Sequence, residues 1–347
     1  KYEKLARKYY IIQHSKKISL NSAYGAIGNK YFRYYDHRQA EAITMSGQLN
    51  IKWIEKKLNE YFNKLYKTDD DYIIASDTDS VYINMAPLVK MTGATDKNKI
   101  VKALDTFCHE RLEPYIAKVY KELGDYMNVK ENKMVMKREA IADRGIWTAK
   151  KRYILNVWDS EGVRYEKPKL KIMGIEAVKS STPAACRTSI RDCLTVIMNE
   201  DEESAQGFIA DFKNHFSSLP IEDISFPRGC NNLNKWSNPT TIYSKGTPIH
   251  VRGALLYNFY NKKNKLTHKY PLIQDGEKIK FVYLKTPNKI NENIISYLNT
   301  FPKEFGLDKQ VDYDLQFEKS FLEPIKVIMD VIGWQPEKVA SLEFLFG

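Results

Sequence analysis

The sequence predicts an α+β protein, and three observations carry that reading. Apolar residues recur with helical spacing over 1–25, 38–66 and 97–123, and again beyond residue 180. Short β-rich runs lie between these stretches, two of them closing on a polar tetrapeptide as a hairpin does. Hydrophobic residues make up 43% of 347 and aromatics 12%, enough for two domains that each bury a core, which excludes a disordered or collagen-like chain.

Residues 1–25 read as a helix with Leu5, Tyr9 and Ile12 on one side. No capping residue or initiator Met precedes it, so the chain is expected to start inside an element. Residues 38–66 form a second amphipathic helix, with Ile43, Leu49, Trp53 or Ile54, and Leu58 on its apolar stripe. Asp69-Asp70-Asp71 then leads into the hairpin of Tyr72-Ile73-Ile74-Ala75 and Val81-Tyr82-Ile83. A helix is expected at 97–123, strands at 132–141 and 151–158, and another at 169–175. Ser180-Ser181-Thr182-Pro183 is a helix start, with a Ser or Thr cap and Pro in the first turn; that helix runs to 215. A domain boundary is placed near Gly174. Residues 225–290 are rich in Asn, Pro and Lys with short strands, and 289–345 return to helix.

No apolar stretch approaches the roughly 18 residues a membrane span needs, so no membrane partner is expected. Lys1–Lys8 is charged and has no apolar run of a secretory signal. Cys108, Cys186, Cys193 and Cys230 read as reduced thiols of a cytosolic protein. The formal charge is +11, and it is uneven. Residues 1–38 carry a net +7 and residues 130–187 another +7, leaving −3 for the rest. Both basic segments interleave cations with rings, as in Tyr31-Phe32-Arg33-Tyr34-Tyr35 and Trp147 to Tyr153. Cations for phosphates beside flat rings for sugars and bases is the composition of a nucleic-acid groove, although a solvated helix face also carries Lys.

Three constellations can carry chemistry. Asp77-Thr78-Asp79-Ser80 puts two carboxylates two residues apart at a hairpin tip, where both can aim at one hard divalent cation. The tetrapeptide alone equally suits a plain polar turn. It is not an EF-hand loop, because Val81 and Ile83 occupy ligand positions and Leu88 stands where the closing Glu belongs. In the first helix, Tyr10, His14, Lys17, Asn21 and Tyr24 step by four and three and share one face, ending at Gly25. That face can offer a cation and an amide to a triphosphate, with a ring and bare backbone close to a base pair; a solvated, glycine-ended face is the plainer reading. The third is Lys150-Lys151-Arg152-Tyr153 entering a strand, which fits either a phosphate grip or a charged edge strand.

In this order the three resemble the motifs of family B DNA polymerases. Lys17-Ile18-Ser19-Leu20-Asn21-Ser22-Ala23-Tyr24-Gly25 resembles the fingers motif Lys-x3-Asn-Ser-x-Tyr-Gly. Ser76-Asp77-Thr78-Asp79-Ser80 resembles the palm motif Asp-Thr-Asp-Ser, and Lys150-Lys151-Arg152-Tyr153 the primer-gripping Lys-Lys-Arg-Tyr. Phe32-Arg33-Tyr34-Tyr35-Asp36 and Lys171-Ile172-Met173-Gly174 are similar to the text of the replicative polymerases of T-even-like phages. The resemblance covers nearly the whole chain and is weakest over 215–300.

The resemblance implies part of a right-hand polymerase acting by template-directed nucleotidyl transfer. Residues 1–29 would end the fingers, 30–174 form an antiparallel palm sheet with packed helices, 175–340 a mainly helical thumb with a small β subregion, and 341–347 a clamp-binding peptide. Lys17, Asn21, Tyr24 and Gly25 would meet the incoming dNTP, and Asp79 with Asp77 would hold Mg²⁺. Two ions are implied, one shared with a carboxylate from an N-terminal part. Lys150, Lys151, Arg152 and Tyr153 would grip the primer strand, with Ser180, Ser181, Thr182, His250 and Arg252 on the duplex backbone of primer–template DNA. Leu342, Phe344, Leu345 and Phe346 would dock on a sliding clamp, and the setting would be the cytoplasm of an infected bacterial host.

Two departures qualify the resemblance. No Asp-x2-Ser-Leu-Tyr-Pro-Ser motif, which supplies the family's further metal-binding Asp, occurs in this sequence, nor do the exonuclease acids. Ile141-Ala142-Asp143-Arg144-Gly145-Ile146-Trp147 stands as a short link where the family carries a longer Gly-rich loop. The resemblance thus implies either a catalytic portion that needs an N-terminal partner fragment for the remaining Asp and the exonuclease, or a non-catalytic DNA-binding and clamp-tethering piece or inactive fragment.

Overall fold

The computed structural model describes residues 2–338 and divides into two compact units, 1–141 and 142–347, with the change of unit falling inside one strand. The fold class is α+β: helices packed on small sheets whose pairings are antiparallel.

The first unit contains α1 (Tyr2–Ile27), α2 (His37–Tyr66), β1 (Ile73–Asp77), β2 (Ser80–Ile83), α3 (Ala86–Thr92), α4 (Lys97–Phe107) and α5 (Glu113–Tyr126), and it ends as β3 (Ala140–Ala149) begins. A π-helical turn at Cys108–Leu112 joins α4 to α5, absorbing one extra residue without breaking the rod expected over 97–123. The core is the back half of α2, with Ile54, Leu58 and Phe62 fully buried against Tyr72, Leu112, Ile116, Val119 and Tyr120. Each such side chain contributes about 1.5–3 kcal/mol. Two cross-ties fix the helix pair: the Trp53 indole N–H donates to the Val119 carbonyl at 3.0 Å, and the Tyr115 hydroxyl to that of Lys57 at 2.9 Å. The front half of the α2 stripe is not covered, since Ile43 and Leu49 are exposed, and no residue of α1 is buried. All four cysteines are buried free thiols.

The second unit continues with β4 (Arg152–Ser160), β5 (Val163–Met173), α6 (Ala184–Asn199), α7 (Glu202–Phe216), α8 (Ile221–Ile224), β6 (Phe226–Gly229), α9 (Leu233–Trp236), β7 (Ser237–Asn238), β8 (Ile242–Tyr243), α10 (Ile249–Lys263), β9 (Lys278–Tyr283), β10 (Ile294–Tyr297), α11 (Tyr313–Phe317) and α12 (Glu323–Val331). Strands β3, β4 and β5 follow one another in one sheet, and β10, β9 and β6 make a second. Ile154, Ile175, Ile190 and Leu194 form the centre of a continuous core with α10 and β10.

Several expected elements shift. The strand placed at 132–141 is irregular until Ala140, where β3 starts and runs through the supposed link. The preceding stretch is tied instead by its side chains: Arg138 reaches Asp105 at 2.5 Å, and its backbone N–H donates to Glu113 at 3.1 Å. Gly145 lets β3 through that link, because a Cβ there would sit 2.5 Å from the Trp147 ring. Helix α6 starts after Pro183, which is itself the N-cap without a side-chain bond, and it ends at Asn199. Asp201 then caps a separate helix by accepting from the Ser204 N–H at 2.9 Å. The 225–290 stretch hides a full helix, α10, and the helix expected from 289 is delayed to Tyr313 by strand β10.

Candidate functional site

The hairpin tip is built by strain. Asp77 pairs with Ser80, leaving only Thr78 and Asp79 to turn the chain. Thr78 takes φ +57, a left-handed conformation that is costly for a β-branched residue. The Asp79 N–H closes onto the Asp77 carbonyl at 2.6 Å, and the Ser80 hydroxyl donates to the same oxygen at 3.1 Å. The Thr78 hydroxyl donates to the Asp77 carboxylate at 3.0 Å. Asp77 is half-buried and Asp79 exposed. Strain of this kind, about 1–3 kcal/mol, persists where surrounding structure enforces it. The base of the hairpin is tied to α2. Asn59 accepts from the Tyr72 N–H at 2.8 Å and donates to Asp71 at 2.8 Å, while Asn63 donates to the Asp70 carbonyl at 3.0 Å and accepts from its N–H at 2.9 Å. The Ile73 N–H and the Asn59 amide hold the Asp71 carboxyl below its usual range, so this acid is bound into the hairpin base.

Among the described residues no three His, Cys, Asp or Glu side chains gather at one point. The tip therefore offers two carboxylates, the hard-oxygen chemistry a divalent cation takes, and not a full coordination shell.

The α1 face forms as spaced. Tyr10 and His14 stack with centroids 5.7 Å apart and planes 8° off parallel, and Lys17, Asn21, Tyr24 and Gly25 follow, all exposed. Ser19 and Ser22 turn back onto the Ser15 and Ile18 carbonyls, so their hydroxyls serve the helix. Nothing stands within 4 Å of where a Gly25 Cβ would be, which leaves that backbone open to approach.

In the second unit Lys150 and Lys151 form the turn from β3 to β4, with Lys151 at φ +62. Arg152 opens β4, and Tyr153 is buried beside Trp147, ring centroids 6.2 Å apart. Gly174, at φ +66, lies against this turn so closely that a Cβ would overlap the Lys151 carbonyl. Past it, Glu176 binds the Arg152 guanidinium at 2.8 Å and the Lys179 ammonium at 2.9 Å. Ser180 is exposed, Ser181 half-buried and Thr182 buried.

A sequence model of DNA polymerase family B matches residues 3–332. The chain belongs to that family. It is 38% identical over 351 aligned residues to the DNA-directed DNA polymerase of Enterobacteria phage T4, and equally to that of Escherichia phage RB69. Each alignment covers 96% of this chain and 38% of the relative, so the chain spans well under half the length of these polymerases.

The three constellations singled out in the sequence lie on the α1 face and the hairpin tip in the first unit and on the basic turn in the second. Arg252 and His250 sit differently from an open duplex contact. Arg252 donates to Asn293 at 2.5 Å, lies 3.9 Å from Glu292 and stacks over Tyr243, which itself donates to Glu292 at 2.5 Å. His250 is half-buried, its carbonyl accepting from the Ser296 hydroxyl at 2.8 Å. Burial and then the Arg228 charge push its imidazole below the ordinary 6.5. Because the folded state disfavours the charged ring, stability is expected to fall as pH drops through 6.5, the loss being complete below the lowered folded value. A melting series between pH 8 and 5 checks this; His250→Gln should flatten the slope, and an unchanged slope refutes the assignment.

The sequence reading did not single out Asn59, Asn63 or Glu176, and it named Gly174 only as a boundary and as part of a resembling string. The two asparagines carry a legible signal, an i,i+4 pair on the face of α2 nearest the acidic run. The peptide with Leu342, Phe344, Leu345 and Phe346 lies outside the described residues. No described helix is long and apolar enough to cross a membrane.

Proposed function

We propose that this chain supplies the C-terminal portion of a replicative DNA-directed DNA polymerase: residues 1–29 closing the fingers, 30–174 the palm, 175–340 the thumb and 341–347 a clamp-binding peptide. The observation that carries the reading is the strained hairpin tip, where Thr78 accepts an unfavourable backbone so that Asp77 and Asp79 stand two residues apart at an exposed turn. Divalent Mg²⁺, when bound, neutralises charge on the attacking and departing oxygens of nucleotidyl transfer. Asp79 and Asp77 would hold it there, with the remaining carboxylate contributed by an N-terminal partner. Lys17 offsets charge gathering on the pyrophosphate, Asn21 offers its amide to the dNTP, and Tyr24 with the bare backbone of Gly25 faces the nascent pair. Lys150, Lys151 and Arg152 hold the primer-strand phosphates over buried Tyr153.

Two features support an N-terminal partner. The hairpin lacks a third acid among the described residues, and α1 with the front of α2 has apolar residues that nothing in the unit covers. Primer extension by the chain alone is therefore expected to be undetectable. Adding the preceding segment of a family B polymerase should restore it; extension without that segment refutes the division of labour. Removing 344–347 should spare short extensions and abolish clamp stimulation, and unchanged stimulation refutes that assignment. With no third acid gathered at the hairpin among the described residues, a second reading is a non-catalytic DNA-binding and tethering piece, which the Asp79 variant described below separates from the first.

A further inference from the structure

We propose that Glu176 is a positioning residue for the basic turn, holding Arg152 and Lys179 so that the turn meets a nucleic-acid backbone in one register. The inference rests on the DNA-binding reading of that turn. Glu176 divides its two oxygens between two cations: Oε2 accepts from the Arg152 guanidinium at 2.8 Å, and Oε1 from the Lys179 ammonium at 2.9 Å. The acid itself is held. Its neighbours Ile175 and Ala177 are both buried, and the three-residue 3₁₀ turn Glu176–Val178 is closed by the Val178 N–H on Ile175. Gly174, two residues earlier, presses on the Lys151 carbonyl, so the seat and the turn form one body. The Arg152 Nε is buried with no hydrogen-bond partner, leaving Glu176 as the group that orients the guanidinium among the described residues.

A long cation loses rotamer freedom when it grips a phosphate, and a carboxylate that has already fixed it removes that cost from binding. Glu176 is also a negative charge within a segment of net +7. Its two possible roles predict opposite signs. As a mere counter-charge, its neutralisation strengthens DNA binding; as a positioning residue, its neutralisation weakens binding although the chain becomes more positive.

The test is the affinity of the full chain for primer–template DNA across a salt series. Glu176→Gln is expected to bind about tenfold more weakly and to lower the slope of log Kd against log salt by about one. Glu176→Asp, which keeps the charge with shorter reach, should fall between. In an Arg152→Ala/Lys179→Ala background, Glu176→Gln should change affinity less than about twofold, because the acid acts through these two cations. A full-size effect persisting there indicates a structural role and overturns the proposal, as does equal or tighter binding by Glu176→Gln. Should the Gln variant fail to fold, the Asp variant decides: weaker binding supports the role and unchanged binding refutes it. Wild-type chain that does not bind DNA overturns the polymerase reading, and this proposal with it.

Discussion

Replacing Asp79 by Asn is expected to cut templated extension by the partner-completed polymerase about a thousandfold or more, some 4 kcal/mol of barrier. The substitution is close to isosteric and removes only the charge. The turn does not depend on that side chain: its closing bond uses the Asp79 backbone N–H and the Asp77 carbonyl. Asp79 is exposed, so no buried partner is orphaned. Thermal unfolding should therefore match wild type while the rate collapses. Asp77→Asn is less clean, since the Asp77 carboxylate also accepts from the Thr78 hydroxyl and its loss loosens the tip. Single-turnover extension at saturating primer–template separates chemistry from binding. A loss under tenfold means that Asp79 holds no reacting group, and the tethering reading then replaces the catalytic one.

The difference between these two acids was not legible in the sequence, although the pair was. Asp77 and Asp79 stand out because two carboxylates flank one residue between β-rich runs, a purely local pattern. What fixes the base of the hairpin comes from Asn59 and Asn63 back on α2, whose i,i+4 spacing is legible but whose bonds to residues 70–72 are not. The same distinction explains the fold. Helix α2 was readable because one face is apolar and the other charged. Helix α10 was not, because Val251, Gly253, Ala254, Leu255, Leu256 and Tyr257 are buried nearly all round, and a helix without a polar face has no period to read. Strand β3 was displaced for a related reason. Its Asp143-Arg144-Gly145 centre looks like a turn, yet Asp143 accepts from buried Asn156 at 2.9 Å and Arg144 donates to the Met198 carbonyl at 2.9 Å. Charged residues enter a strand when distant partners satisfy them, and those partners lie 13 and 54 residues away along the chain.

Long-range fit also underlies the second large effect, which is expected at Gly174. Substitution by Ala incurs two costs there. At φ +66 an L side chain is strained, worth about 1 kcal/mol. The added methyl also meets the Lys151 carbonyl, a backbone atom that no rotamer change can move aside. Relief requires the end of β5 or the Lys150–Lys151 turn to shift, and Met173 pairs with Tyr153 directly beneath that turn. Overpacking of this kind adds about 1–3 kcal/mol, giving a total of roughly 2–4 kcal/mol. Gly162 supplies the internal comparison. It sits at the other end of β5 at φ +86 with nothing within 4 Å of its Cβ position, so Gly162→Ala carries the backbone cost alone. Urea unfolding of the two variants should therefore place Gly174→Ala at least about 1 kcal/mol below Gly162→Ala. The functional consequence should separate as well. Gly162→Ala is expected to bind primer–template DNA as wild type does. Gly174→Ala, under conditions where it remains folded, should bind more weakly, because the carbonyl it displaces belongs to Lys151 and the strand it disturbs begins with Arg152. Equal stabilities for the two variants would mean that the turn yields freely to its neighbour, and the close approach at Gly174 would then be packing without a hold on the basic turn.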